Sequence, residues 1–341
     1  MGEIEQPANA GPGAPRRRRL WAAVALAAAA LLLAVWTTVN GTWPWNGALP
    51  DRACWGSLDR SLLTKAAPGD ASWEVTEGKD RWGDPECTVE RGDWRFRTTV
   101  MKTPLKTSLW WGLGTVPLHH GLPGMIKTNR DRTDGWLHLP QCRNKLVNVN
   151  VPGALTDRRA AQNLAARALL AVGNAQIARC GGKPFPAPER FDWPTVRPVD
   201  LTRGETPCDV ADARIVRKWA GGKVSQLGGF TDDPVSRCTA LGAGDDQLDL
   251  GLFSALVLRD RSTLDAFSPT GVRARIPVRP GKPLHLTADD LRFDRDAATE
   301  LACAGGRERR YVHVISEGSD AQYAAIKRAV LTKVGATMGC H

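Results

Sequence analysis

The sequence predicts an α+β protein: one transmembrane helix near the N-terminus, then two similar domains, each an antiparallel sheet covered by helices and stapled by two disulfides. Three observations carry this. Leu20 to Val39 hold no charge and directly follow four arginines, Arg16 to Arg19. All eight cysteines come after that stretch, in two quartets of similar spacing. Each quartet closes on an Ala-rich helical run that follows strand-like alternation.

Residues 1–19 start with Pro7, Gly11, Gly13 and Pro15 and almost no apolar side chains, so they read as a disordered cytoplasmic tail. Residues 20–39 form a helix of ~30 Å, the thickness of a bilayer core. The basic flank stays in the cytoplasm, which exports everything after Val39. The apolar run is longer than a usual signal h-region and no clean small-x-small site follows it, so the span reads as a retained, single-pass signal anchor. Trp21 on one side and Trp43 and Trp45 on the other suit the two headgroup layers.

The exported part divides into residues 40–182, a Pro-rich linker at 183–207, and residues 208–341. Cys54, Cys87, Cys142 and Cys180 mark the first unit, and Cys208, Cys238, Cys303 and Cys340 the second. Asp84-Pro85 precedes Cys87 as Asp233-Pro234 precedes Cys238, which supports an internal duplication. In the first unit the pattern predicts a short helix from Trp55 to Leu62, strands near 73–76, 87–90, 94–101 and 136–139, and a helix from Asp157 to Arg179. In the second it predicts a helix from Val210 to Trp219, strands near 238–241, 248–258, 272–278 and 311–315, and a helix from Ser319 to Thr337. The alternation suits sheets covered on one face. An extended run from Cys142 followed by a returning helix brings Cys142 and Cys180 to one end, and the same argument applies to Cys303 and Cys340. The expected bridges are Cys54–Cys87, Cys142–Cys180, Cys208–Cys238 and Cys303–Cys340.

Chemistry is sparse. No Cys-x-x-Cys pair occurs, so the cysteines read as structural in an oxidising compartment. His119 and His120 are adjacent, which on extended chain points them apart, and they read as loop surface; no metal or other cofactor is expected. Gly-x-Ser-x-Gly is absent, and Ser319 reads as a helix cap. Asp232-Asp233, Asp245-Asp246 and Asp289-Asp290 lie in turn-forming sequence, where Asp caps its own backbone. The net charge of +10 is spread without a basic, aromatic-interleaved block, which excludes nucleic acid as the expected partner. The stretch from Lys102 to Gly135 is the least regular. Its Trp110, Trp111 and Leu113, with His119 and His120, are the candidate binding residues, gripping a partner, a sugar face or the outer leaflet, or else packing over the sheet edge.

The Arg16 to Val39 anchor, the cysteine quartets and the closing Ala-rich helices resemble uncharacterised single-span or lipid-anchored exported proteins of actinobacteria. Some of those carry four-cysteine α+β domains of the kind found in sensor ectodomains and small lipoproteins. The resemblance brings no active-site residues. Together these features predict a cell-membrane protein, outside but for its N-terminus, that binds a cell-envelope protein or glycan and catalyses nothing. The alternatives are an envelope hydrolase whose carboxylates are assembled by the fold and a structural envelope component.

Overall fold

The computed structural model describes residues 49–67, 69–102, 115–129, 131–143, 145–152, 157–210, 216, 224–242, 251–267, 272–278, 287, 298–303, 308–316 and 319–338. The expected span at 20–39 lies outside them, and no helix among the described residues is long and apolar enough to cross a membrane.

The described residues open with a small ribbon, β1 (Arg52–Ala53) paired with β2 (Leu58–Asp59), and then α1 (Arg60–Ala66). The first helix thus begins later than its apolar spacing suggests. The cause is local: Cys54 is bonded to Cys87, the Trp55 N–H donates to Glu77 Oε1 at 2.5 Å, and Cys54, Trp55 and Gly56 all take positive φ. A backbone pinned this way cannot continue as a right-handed helix.

The first sheet contains β3 (Trp73–Lys79), β4 (Pro85–Arg91), β5 (Trp94–Lys102), β6 (Thr115–Pro117), β7 (Gly124–Thr128), β8 (Arg132–Leu139) and β9 (Lys145–Pro152). Its order is β3-β4-β5-β9-β8-β7-β6, antiparallel throughout. Helix α2 (Arg158–Arg179) follows, capped by Asp157, whose Oδ1 accepts from the Arg159 N–H at 2.8 Å. Leu137, Leu139, Val147, Val149 and Val151 join Leu164, Leu169 and Val172 of α2 in one core. Two glycines let strand and helix close up. A Cβ at Gly135 would meet Leu169 Cδ1 at 2.7 Å, and one at Gly173 would meet Leu137 Cδ2 at 2.8 Å. Cys142 and Cys180 are bridged at the shared end, Cα atoms 5.7 Å apart.

The second sheet contains β10 (Val196–Val199), β11 (Val224–Gly229), β12 (Val235–Gly242), β13 (Gly251–Leu258), β14 (Val272–Val278), β15 (Ala298–Cys303) and β16 (Arg309–Ser316), in the order β10-β11-β12-β13-β16-β15-β14. A short helix, α3 (Arg261–Phe267), lies between β13 and β14, and α4 (Asp320–Thr337) follows β16. Gln322 Oε1 accepts from both the Ser319 N–H at 2.7 Å and the Ser319 hydroxyl at 3.0 Å, so Ser319 does sit at the head of that helix. Contrary to the all-antiparallel expectation, β14 and β15 run parallel. Parallel neighbours need a crossover of roughly a dozen residues or more, and the chain between Val278 and Ala298 is long enough to supply one. Cys208 and Cys238 are bridged with Cα atoms 5.8 Å apart. Cys340, and with it the fourth expected bridge, lies outside the described residues, as does most of the helix expected from Val210 to Trp219.

The two sheets share a five-strand order. In the first it is β3-β4-β5-β9-β8, in the second β11-β12-β13-β16-β15, and in each a long helix follows the last strand in sequence. In each, a disulfide ties an upstream segment to the second strand of the five, at Cys87 on β4 and Cys238 on β12.

The one-face cover expected from the alternation holds on β3 and the first half of β5, where Glu74, Thr76, Arg95 and Arg97 are exposed, but not where the two sheets meet. Helix α2 or α4 covers one side, and the other sides pack against each other. Met125, Trp136 and Leu146 of the first sheet meet Val235, Leu256, Leu258 and Tyr311 of the second, with Leu264 and Phe267 of α3. The layers therefore run helix, sheet, sheet, helix. Where the sheets meet, the alternation read as a solvent face is buried: Thr99, His138, Arg237, Thr239, Ser254 and His313 are all at most 5% exposed.

Candidate functional site

Trp110, Trp111 and Leu113 lie outside the described residues. From Thr115 onward the irregular stretch packs on the sheet edge as β6, with Val116, Leu118 and Leu122 buried. His119, His120 and Gly121 then take positive φ in succession, a tight corner that sends the two imidazoles to different partners. His119 Nδ1 lies 2.9 Å from Asp233 Oδ2, on the turn between β11 and β12. The same carboxylate accepts from the Gly121 N–H at 3.1 Å and the Thr231 hydroxyl at 2.9 Å. Burial pushes the Asp233 carboxyl up, but these hydrogen bonds and the charge of His119 outweigh it and hold the group below the usual carboxylate range. His120 turns the other way, Nε2 at 3.7 Å from Asp192 Oδ2, its ring edge-on to Phe191, which stacks on Trp193. His119 is a joint of the fold, whereas His120 stays on the exposed corner, as expected of loop surface.

The acidic turns behave similarly. Asp232 Oδ1 accepts from Arg310 at 3.0 Å while Arg259 approaches its other oxygen, so Asp232 and Asp233 tie separate elements together. Asp245-Asp246 and Asp289-Asp290 lie outside the described residues.

Between the sheets, His138 Nδ1 lies 3.2 Å from Thr263 Oγ1, and that hydroxyl is 2.7 Å from Asp260 Oδ2. A carboxylate only accepts, so Thr263 donates to Asp260 and His138 donates to Thr263. The arrangement is a buried clamp; a nucleophilic threonine needs the histidine to accept its proton, the reverse polarity. Deeper in the same layer the Arg237 Nε–H donates to Ser254 Oγ at 2.8 Å, and Ser254 meets Thr239 at 2.9 Å. Burial pushes the Arg237 guanidinium down to about 10, still charged at neutral pH. Among the described residues no three His, Cys, Asp or Glu side chains are placed to hold a metal ion.

An open groove of about 590 Å³ lies on the outer side of the first unit. One wall is Asp59 with Ser61, Leu62 and Lys65 of α1. Leu170, Ala171, Arg167 and Asn174 of α2 form the floor. The far wall is Ala187, Pro188 and Phe191, from the segment expected to be a linker. That segment is a strap. Asn174 brackets Phe185, its Oδ1 accepting from the backbone N–H at 2.8 Å and its Nδ2 donating to the carbonyl at 3.0 Å. Arg167 donates to the Glu189 carbonyl at 3.1 Å, and the Trp193 indole donates to Asn163 Oδ1 at 2.9 Å. Asn163, Arg167 and Asn174 fall on one helical face, four and seven residues apart, which is how α2 presents them together to the strap.

The groove was missed in the sequence because its residues come from three separated segments. The readable signal was a polar stripe on an otherwise Ala- and Leu-rich helix, followed by prolines too stiff to wander. No family model, curated protein or solved structure matches this chain.

Proposed function

We propose that this protein is a non-catalytic, membrane-anchored binding module of the cell envelope, held by residues 20–39, with the groove between α1, α2 and the strap as its ligand seat. The observation that carries the reading is the lining of the groove. Lys65 and Arg167 stand among the apolar side chains of Leu62, Leu170 and Ala171, with Phe191 opposite. Such a surface accepts a molecule with an apolar body and an anionic group, and Asp59 at the rim orients it by repulsion. The two units read as copies of one ancestral fold, supported by the shared five-strand order and the matched disulfides at Cys87 and Cys238. In this reading the second unit contributes the buried joint and the first contributes the seat.

The test is a titration of the full chain in detergent with a dansyl-labelled fatty acid, an anionic amphiphile. Saturable binding is expected, weakened about tenfold or more when Lys65→Glu and Arg167→Glu are combined, a loss of ~1.4 kcal/mol or more. Equal affinity in the double variant overturns the assignment of the groove.

A further inference from the structure

Among the described residues two large hydrophobic side chains are markedly exposed, Trp82 at 63% and Val196 at 49%. Trp82 is the one held on a built turn. It sits at the tip of the β3–β4 hairpin, where Asp80 Oδ1 accepts from the N–H groups of Trp82 and Asp84 at 2.8 and 2.9 Å. Gly83 takes the positive φ the turn requires, and its N–H donates to the Asp80 carbonyl at 3.0 Å. The Arg81 guanidinium lies over the indole, 4.0 Å from the ring centroid. Lys79 beside it is exposed as well. The turn thus presents an amphipathic ring and two cations outward on a backbone that its own carboxylate fixes.

The place of this tip in the chain says what it meets. Cys54, five residues after Leu49, the first described residue, is bonded to Cys87, Cα atoms 5.4 Å apart. Trp82 precedes Cys87 by one turn and two strand residues, so the tip lies within ~22 Å of Cys54 at most. The chain from Val39 to Leu49 reaches no further than ~35 Å. The first sheet is therefore leashed to the end of the span by the same short segment that is bolted beside the hairpin. The inter-sheet core draws its first-sheet residues from β5, β7, β8 and β9, so the second unit packs against strands other than this hairpin.

We propose that the β3–β4 tip docks into the outer headgroup layer of the bilayer that holds the chain's own span, with Trp82 among the glycerol and upper acyl groups and Arg81 and Lys79 on phosphates. This rests on the membrane-anchor reading of residues 20–39. Indole rings favour that layer because one edge is apolar and the N–H finds an acceptor, and guanidinium matches phosphate geometry. The docked tip gives the ectodomain two membrane contacts in place of a single leash, and so a fixed stance.

The experiment places the full chain in nanodiscs of phosphatidylcholine and phosphatidylglycerol, with Trp82 replaced by photo-reactive benzoylphenylalanine, and with Val196 replaced likewise as the control. Flotation first reports whether the chain integrates, and non-reducing peptide mapping reports whether Cys54–Cys87 is intact. The expected result is lipid cross-linking from position 82 about fivefold or more above that from position 196. A chain that floats, with its bridge intact, but labels lipid equally from both positions, or labels protein or glycan from position 82, overturns the docking and leaves the anchor standing. A chain that fails to float overturns the anchor reading, and the docking with it.

Discussion

Where the sheets meet, each has two buried faces, and they are built differently. The helix-facing sides carry Val147, Val149 and Val151, or Val312 and Val314, against Leu- and Val-bearing helices. The sheet-facing sides mix Trp136, Leu146 and Leu256 with His138, Arg237, Thr239 and Ser254. Apolar contact is non-directional and tolerates small slips, whereas a buried hydroxyl or imidazole must find its partner at one register. The oily faces make each unit stable, and the polar faces decide how one unit sits on the other.

The largest effect should follow from cutting the oily side. Leu169→Ala removes a side chain packed against Gly135 in a region with no slack, and a loss of about 2–5 kcal/mol in urea unfolding is expected. A smaller effect should appear at the joint. Thr263→Val keeps the shape but deletes both the donor to Asp260 and the acceptor of His138, with an expected cost of about 1–3 kcal/mol. Calorimetry sharpens the contrast: the Thr263 variant should split one transition into two as the units part, while Thr263→Ser restores one. A single, unsplit transition in Thr263→Val would show that the apolar contacts alone hold the joint.

That joint is also what the sequence concealed. Both long helices, with their caps at Asp157 and Ser319, and the three visible bridges were legible because helix period, cap chemistry and chain length are local quantities. The sheet-facing residues were read as wet because a strand alternating Val with Asn, Thr or His looks the same whether its polar side meets water or another polar sheet. The strap was read as a linker for a related reason. Proline content reports stiffness, but the asparagines and arginine that hold Phe185 and Glu189 lie on α2, at the other end of no sequence pattern.

Acid should loosen the joint before it reaches the units. The Asp233 carboxyl is held below its unfolded value of roughly 3.9, so its contribution is present above that pH and is lost as pH falls through the folded value. The carboxylate is only partly buried, and burial opposes its hydrogen bonds, so the change stays within about 1 kcal/mol. Asp233→Asn should flatten this part of the stability profile between about pH 5 and pH 2; an unchanged slope would assign the acid sensitivity elsewhere. Smallest of all, breaking the exposed Arg261–Asp265 pair with Arg261→Ala should move the midpoint by no more than about 0.5 kcal/mol, since both side chains are about half exposed.

The Cys54–Cys87 bridge also has a mechanical meaning. Tension arriving from the N-terminal end enters at Cys54 and crosses covalently to β4, bypassing α1 and β3. The chain between the two sulfurs, a sequence separation of 33, is shielded from load and cannot pay out, so a single-molecule pull should release ~115 Å less contour than the residue count predicts, and restore it on reduction. The unit is thus hung from the second strand of its sheet and not from the exposed edge, where a peeling force would act on one row of hydrogen bonds at a time.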